Sequence, residues 1–405
     1  MYALLLAIIY VAFISLGLPD SLVGAGWPVM HSDLGVPLGF AGVLTTIIAG
    51  GTIVSSLASE RLTRRFSAGS VTAVSVGMTA AALVGFSLSD SFWMLCLWAI
   101  PYGLGAGAVD AALNNYVALH YAARHMNWLH ACWGVGAAIS PFVMSFALSS
   151  SSLGWSGAYW IIGGVQALLT LVLFISLPLW GRVNPARAAV EAQGLEGAPV
   201  NTGHVPLGTA LRIRGVKLIL AAFFAYCALE STAILWASTF LVEDRGVEAA
   251  TAAAFASLFL LGITAGRFLA GFVADHVGDR ALIRGGFLAV GVGAVMIAVP
   301  VGTDVLALAG LVVAGLGSAP IYPAIIHSTP VNFGRQNSQA IIGVQMAAAY
   351  TGSTLAPPLF GALSTWLGLW IFPFFILALV ALGLAMSERL NRRVDHGELA
   401  GAPAA

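Results

Sequence analysis

Charged side chains are scarce in this sequence. Only 8% of its 405 residues are Asp, Glu, Lys or Arg, against roughly 25% in an average soluble domain. Hydrophobic residues make up 59% of the chain, which is more apolar surface than one soluble core can bury. The 17 basic and 17 acidic residues balance to zero net charge, so there is no electrostatic reason to expect a nucleic-acid partner.

Cysteine is rare as well. Cys96, Cys132 and Cys227 all fall inside apolar runs, where a free cysteine usually behaves as a small hydrophobic residue. The sequence contains no disulfide framework, no metal-ligand spacing and no phosphate-binding loop. These absences argue against an enzyme or a receptor, and no cofactor or metal site is predicted.

Apolar runs of about 20 residues recur along the whole chain, and each is long enough to cross the ~30 Å hydrocarbon layer of a lipid bilayer. The first run has no basic residue before it and continues to Met30, so we interpret it as a retained span and not as a signal peptide. The predicted fold class is an all-α membrane protein. The twelve predicted spans are 3–30, 37–58, 68–89, 92–119, 127–150, 156–181, 217–241, 249–271, 282–301, 305–329, 337–362 and 366–387.

A stretch of about 35 polar and small residues separates the sixth and seventh spans. The predicted parts are therefore an N-terminal six-helix bundle at 1–181, a cytoplasmic linker at 182–216, a C-terminal six-helix bundle at 217–390 and a cytoplasmic tail at 391–405. The halves also resemble each other at a shift of about 212 residues, since "GLGAGA" at 103 returns as "GLGSAP" at 315. Duplicated halves are typical of secondary transporters, whose substrate sites lie near the bilayer midplane.

The basic residues predict an orientation. If both termini are cytoplasmic, sixteen of the 17 Lys and Arg residues fall on the inner side and only Arg245 falls outside. Cytoplasmic loops of membrane proteins carry such an excess of positive charge. The predicted location is the cell (inner) membrane, with both termini in the cytoplasm.

The loop after the second span carries an acid, a basic residue and then two further basic residues, and the second half carries a related run, "GRFLAGFVADHVGDR". This paired pattern resembles the major facilitator superfamily, although Thr63 stands where the family usually has glycine. The resemblance implies twelve helices in two pseudo-symmetric six-helix bundles and a cytoplasmic gate made by the loop charges; a solvated loop face is the alternative. The predicted gate residues are Glu60, Arg61, Arg64, Arg65, Arg267 and Asp275.

Five shorter motifs occur in an order that resembles the fucose-proton symporter family within that superfamily. They are "LPDSL", "GLGAGAVDAALNN", "MNWLHACW", "YCALESTAILWASTFLVE" and "APIYPAII". The resemblance implies that Asp20 and Asp110 occupy the positions of the family's acids, and that His130, Trp133 and Tyr322 occupy sugar-binding positions. Since His130 and Trp133 replace a polar pair, the resemblance extends to the family and not to fucose as the substrate.

Three acids, Asp20, Asp110 and Glu230, lie well inside predicted spans. A charge at the centre of a membrane helix costs roughly 2.5–3.5 kcal/mol, and burial disfavours the ionised form, so such acids can take up and release protons. No Lys or Arg is expected deep in any span to pair with them. We therefore predict that they couple transport to protons, with sodium as an open alternative; a neutral acid bonded within the helix packing is the competing interpretation.

Helical spacing places Asp110 and Asn114 on one face, with Gly103 and Gly107 close by. The small residues let another helix approach closely, which leaves the polar pair facing any remaining polar space. Tryptophan offers a plane on which a sugar ring can stack, and histidine can bond hydroxyl groups. The predicted substrate-binding residues are Asn114, His130, Trp133, Gln166, Tyr226, Tyr322, His327 and Gln345.

The predicted function is proton-coupled symport of a monosaccharide or similar small neutral polar solute by alternating access, carried out by a monomer. A neutral solute is favoured because no buried Arg is expected to bind an anion. The alternative is a proton-coupled efflux antiporter for drugs or metabolites. Such antiporters carry a glycine-rich motif on the fifth span, and "GVGAAISPFVMS" lacks the glycine pair that should follow Pro141.

Overall fold

The computed structural model describes residues 2–37, 40–150, 152–182, 205–300 and 304–396. Most of the predicted linker at 182–216 and the end of the predicted tail at 391–405 lie outside these ranges. The α-helices of the described residues are α1 (Tyr2–Gly17), α2 (Leu22–Asp33), α3 (Ala41–Phe66), α4 (Ala68–Ser87), α5 (Phe92–His120), α6 (Ala123–Ser149), α7 (Gly154–Arg182), α8 (Leu207–Ala210), α9 (Val216–Glu243), α10 (Ala249–Val277), α11 (Asp279–Ala298), α12 (Val305–Ser318), α13 (Ile321–Phe333), α14 (Arg335–Leu367) and α15 (Phe372–Asp395).

Eleven helical stretches of the described residues are long and apolar enough to cross a membrane. In order, they match the predicted spans one to ten and twelve, which confirms an all-helical membrane fold. The eleventh predicted span, 337–362, lies within α14. This helix is long enough, with 33 residues, but its composition is not apolar enough for it to be counted with the others.

The chain divides into two compact units. The first contains the described residues of Met1–His120 and Leu129–Pro206, and the second contains those of Tyr121–Trp128 and Leu207–Ala405. The second unit therefore includes the first residues of α6, which precede Leu129.

In the first unit, the first predicted span is two helices and not one. α1 ends at Gly17, α2 begins at Leu22, and the residues between them form turns. Pro19 accounts for the break, because proline has no N–H to donate and disfavours helical conformation in the residue before it. Asp20 consequently lies at a break in the span.

Glycines bring helices of the first unit into close contact. A Cβ atom added at Gly103 or Gly107 of α5 would lie 2.3 Å or 2.2 Å from a backbone oxygen of α3. The expectation that these glycines admit a neighbouring helix is confirmed, and α3 is that helix. Gly136 has the same role between α6 and α1, since a Cβ atom there would lie 2.0 Å from the Ile14 oxygen.

The second unit also contains a broken span. Ala319 and Pro320 separate α12 from α13, although the sequence predicts one continuous span at 305–329. Proline lacks the N–H that would continue the helical bonding. The break places Tyr322 in the first turn of α13.

The predicted internal repeat is visible in the helix bounds. α4 covers Ala68–Ser87 and α11 covers Asp279–Ala298, so both ends are 211 residues apart. The residues just before these helices share one backbone conformation, with φ 70° and ψ 155° at Ser67 and φ 80° and ψ 153° at Gly278. Glycine adopts this conformation freely, whereas Ser67 is the one non-glycine residue with positive φ in the described part of the chain.

Candidate functional site

Asp20 lies in the turn between α1 and α2, and its side chain is exposed. The indole Nε1 of Trp133 on α6 donates to Asp20 Oδ2 over 2.8 Å, and the Tyr102 hydroxyl on α5 donates to Oδ1 over 3.2 Å. Two predicted residues, Asp20 and Trp133, are therefore in direct contact. Tyr102 was not predicted from the sequence, because a tyrosine in an apolar run is usually a packing residue.

A second polar chain of the first unit connects α5 and α6. Asn114 donates through Nδ2 to Asp110 Oδ1 over 2.7 Å, and its Oδ1 lies 2.9 Å from His130 Nε2. An amide oxygen can only accept, so this arrangement requires a hydrogen on His130 Nε2. All three residues were predicted from sequence, and all three are buried. The ring of Phe13 packs edge-on against His130, with 5.4 Å between the ring centroids.

The two acids of the first unit have different surroundings. Asp20 is exposed and bonded to two aromatic side chains, whereas Asp110 is buried, with 5% of its surface exposed, and bonded to an amide. An exposed carboxylate beside an indole can accept hydrogen bonds from a polar solute. A buried carboxylate held by an amide is suited to carrying a proton, because its charged form is costly away from water.

Gln166 has a structural position in the first unit. Its Oε1 accepts from the Thr79 hydroxyl over 2.5 Å and its Nε2 donates to the Ser15 carbonyl over 2.7 Å, so one amide joins α7 to α4 and α1. The side chain is almost fully buried. The structure thus places Gln166 in helix packing, apart from the contacts of Asp20 and Asp110 described above.

In the second unit, Glu230 on α9 forms an ion pair with Arg267 on α10. The Arg267 Nη2 lies 3.1 Å from Glu230 Oε1 and 3.3 Å from the Tyr226 hydroxyl. The guanidinium also lies over the Tyr322 ring, 5.9 Å from its centroid. The expectation that no Lys or Arg lies deep in a span is therefore wrong. A cation here is tolerated because a carboxylate compensates its charge.

The position of Arg267 also corrects its predicted role in a cytoplasmic gate. It lies ten residues before the end of α10 at Val277, which is about 15 Å along a helix, and only 3% of its side chain is exposed. The predicted span 249–271 put Arg267 four residues from its end, and the depth of the residue follows from the longer helix of the structure, which continues to Val277.

The other predicted gate residues lie at helix ends. Asp275, near the end of α10, accepts from the Arg124 backbone N–H over 3.0 Å and lies 3.4 Å from the Arg124 Nε. Glu60 pairs with Arg64 within α3, at 3.8 Å. Arg61 lies on the same helix, and the Arg65 guanidinium lies over the Phe66 ring. The sequence analysis did not select Arg124 as a gate residue, and a gating role stays a prediction.

Three further predicted binding residues have partners inside the second unit. His327 Nδ1 lies 2.7 Å from Asp279 Oδ2, and the Tyr322 hydroxyl donates to the Met346 sulfur over 3.3 Å. Gln345 is fully buried; its Oε1 accepts from a threonine hydroxyl at 3.1 Å, while its Nε2 has no hydrogen-bond partner within the described residues.

The amino-acid sequence matches the profile of a known protein family. The profile of the Major Facilitator Superfamily matches residues 9–255 and residues 218–403. A similar curated protein is the 4-hydroxybenzoate transporter PcaK of Acinetobacter baylyi. It is 22% identical over 380 residues, which cover 83% of this chain and 82% of that protein.

Two solved structures share the fold. The E. coli fucose:proton symporter FucP superposes with a TM-score of 0.78 at 15% identity, covering 96% of this chain and 99% of that one. The proton:xylose symporter XylE, bound to 6-bromo-6-deoxy-D-glucose, superposes with a TM-score of 0.76 at 12% identity, covering 96% and 95%. At these identities the similarity establishes the fold alone.

Proposed function

Because the chain belongs to the major facilitator superfamily and is a secondary transporter, we propose that it moves a small hydroxyl-rich solute of monosaccharide size together with a proton. It is a multi-pass membrane protein and not an enzyme. We also propose that both termini are cytoplasmic, in agreement with the distribution of Lys and Arg, and that a monomer carries out transport by alternating access.

The observation that carries the proposal is the exposed Asp20 carboxylate bonded to Trp133. An indole plane and a carboxylate side by side offer a sugar both a stacking surface and an acceptor for hydroxyl groups. Two proteins that share the fold are named as proton symporters of sugars, which agrees with this substrate class.

The proton is assigned to Asp110. Its burial makes the charged form costly, and the bond from Asn114 holds the carboxyl group in place in either protonation state. In this proposal, protonation of Asp110 favours the solute-loaded form that turns inward. Sodium in place of the proton stays an alternative, since carboxylates bind either cation.

The buried position of Arg267 changes what can be proposed about the charge of the solute. A neutral solute was favoured because no buried Arg was expected, and that premise fails. A carboxylate-bearing solute is therefore a second candidate. The similarity to a protein named as a transporter of 4-hydroxybenzoate, which carries a carboxylate, supports this candidate.

The test is uptake into proteoliposomes. We expect a pH gradient, acidic outside, to drive accumulation of a labelled monosaccharide or sugar acid, and we expect a sodium gradient to be ineffective. Asp110→Asn should retain exchange of the monosaccharide across the membrane and lose its accumulation. Asp90→Asn, which changes an exposed acid in the loop before α5, is the matched control and should behave as the wild type.

Three outcomes would contradict the proposal. If the wild type moved no monosaccharide or sugar acid under any gradient, the substrate class would be wrong. If Asp110→Asn accumulated the solute normally, the proton assignment would be wrong. If cells overproducing the protein expelled the solute or resisted toxic compounds, the efflux alternative would replace symport.

A further inference from the structure

The ion pair of Glu230 and Arg267 is the polar feature that transport of a neutral sugar leaves unexplained. It joins the middle of α9 to the middle of α10. Replacing a buried ion pair by apolar residues is often neutral or stabilising, so helix packing alone does not require one. Separate roles of Glu230 and Arg267 in transport explain the pair better than helix packing does.

The two members are not equally accessible. The Arg267 side chain is 3% exposed and the Glu230 side chain is 15% exposed, so the carboxylate is the more exposed partner. Tyr322, whose ring lies beneath the guanidinium, is half-buried. A solute that reaches this part of the second unit therefore meets Glu230 and Tyr322 before Arg267.

The two members also differ in their chemistry. A guanidinium stays protonated at every physiological pH, whereas a carboxylate can become neutral by taking up one proton. Protonation of Glu230 removes the only charge of the pair that can be removed. Arg267 then keeps its charge while the Glu230 carboxylate loses its own, and a guanidinium can bind a second carboxylate through two parallel hydrogen bonds.

We propose that Arg267 binds a carboxylate group of the transported solute, and that Glu230 occupies this site when ionised and vacates it when protonated. This inference rests on the proposed proton-coupled transport and assigns the substrate class to hydroxylated carboxylates, such as sugar acids. For a carboxylate solute the coupled proton is the one on Glu230 and not one on Asp110, so one proton enters with one anion and the charges of the two cargoes cancel. Transport is then electroneutral, unlike symport of a proton with a neutral sugar.

The surrounding side chains suit this role. Against the pair lie the Tyr226 hydroxyl on α9 and the Tyr322 ring on α13. The Tyr226 hydroxyl accepts from Arg267 at 3.3 Å, which orients the guanidinium in both states. Other titratable residues lie on α9 itself and on the helices packed against it. They are Lys217, Cys227 and Glu243 on α9, Asp275 and His276 on α10, His327 on α13, Arg335 and Tyr350 on α14, and Glu388, Arg389, Arg392, Arg393 and Asp395 on α15, while α12 has none.

The experiment compares aldonates with alditols of the same carbon skeleton, namely D-gluconate and D-galactonate against D-glucitol and galactitol. Each pair differs in one group, a carboxylate or a CH₂OH. Uptake into proteoliposomes is measured with an imposed pH gradient, with an imposed potassium-valinomycin potential, and with neither. We expect wild-type aldonate uptake to rise with the pH gradient and to be unchanged by the potential, with no transport current.

Substitutions then assign the groups. Arg267→Gln should reduce aldonate uptake by about tenfold or more, because it removes the charge that holds the carboxylate, and Arg267→Lys should restore part of it. Glu230→Gln should retain aldonate exchange and lose its dependence on the pH gradient. Arg284→Gln, at an exposed ion pair with Glu388, is the matched control.

The outcomes separate this inference from the proposed function. If alditols entered with a proton current and aldonates did not, the carboxylate site would be refuted and the proposed transport would stand. If neither class entered under a pH gradient, both would be refuted. Aldonate uptake that was equal in the wild type and in a correctly folded Arg267→Gln would also refute the site. Folding of each variant is checked by size-exclusion chromatography in detergent.

Discussion

The ion pair between Glu230 and Arg267 makes a quantitative prediction about stability. Glu230→Gln preserves the size of the side chain and removes its charge, so the buried Arg267 guanidinium loses the carboxylate that pairs with it. Removing one partner of a buried ion pair costs about 3–5 kcal/mol. Because 15% of the Glu230 side chain is exposed and the new amide oxygen can still accept a hydrogen bond, we expect the lower end, about 3 kcal/mol.

The reverse substitution should cost less. In Arg267→Gln the remaining acid is the more exposed member, and it can become neutral by taking up a proton, so we expect a loss of about 1–2 kcal/mol. The double variant removes both charges and should be close to the wild type. The two effects are therefore strongly non-additive, with a coupling energy of about 4–5 kcal/mol between residues in direct contact.

The assay is thermal unfolding of the purified protein in detergent, followed by intrinsic tryptophan fluorescence. For a domain of this size, each kcal/mol shifts the Tm by roughly 2–4 °C, so Glu230→Gln should unfold about 6–12 °C below the wild type. Asp395→Asn removes a charge from an exposed pair with Arg280 and is the control, expected to cost less than about 1 kcal/mol.

The reasoning is refuted if Glu230→Gln unfolds within 2 °C of the wild type. It is also refuted if the double variant is as unstable as the sum of the two single variants. Either result would mean that Arg267 gains no stabilisation from Glu230, and that its burial is compensated elsewhere.

Three further predictions concern the first unit. Ser67→Gly should stabilise the protein by about 1 kcal/mol, because relief of a positive φ, worth about 1–3 kcal/mol, exceeds the few tenths lost from the helix cap; an unchanged or lower Tm would contradict this. Gly107→Ala should destabilise it by about 1–3 kcal/mol, since the new Cβ would lie 2.2 Å from the Thr52 oxygen. Gly50→Ala, where a Cβ atom meets nothing within 4 Å, should be tolerated, and equal Tm values for the two variants would count against the close packing. Gln166→Leu should cost about 1–3 kcal/mol by removing the bonds to the Thr79 hydroxyl and the Ser15 carbonyl while the KM for transport stays unchanged; a raised KM with an unchanged Tm would return Gln166 to the binding site.

Several features of this protein could be predicted from the sequence because they are properties of a single segment. Apolar runs long enough to cross a bilayer predict helices, and the helical period alone places Asp110 and Asn114 one turn apart on one face. The structure confirms this, since the two side chains are bonded at 2.7 Å. The superfamily resemblance, which depends on the order of such motifs, is confirmed by the profile match and the fold.

The partners of these residues depend on segments far apart in sequence. Glu230 and Arg267 are 37 residues apart, and Asp20 and Trp133 are 113 residues apart. Glu230 and Arg267 lie on two helices whose facing sides are set by packing. Asp20 lies in the turn after α1, which the glycine contact at Gly136 holds against α6. The expectation that the acids lack a cation failed for this reason, because one span cannot reveal what its neighbour presents.

The sequence by itself determined that the chain is a helical membrane transporter with acids inside its spans, because hydropathy, helical period and motif order are local. The tertiary structure decided which groups from other helices these acids meet. It places Asp20 at a helix break beside Trp133 and Tyr102, and it pairs Glu230 with Arg267. The physical reason is that a charge in a membrane protein is tolerated with a compensating group, and for Asp20 and Glu230 that group comes from another helix.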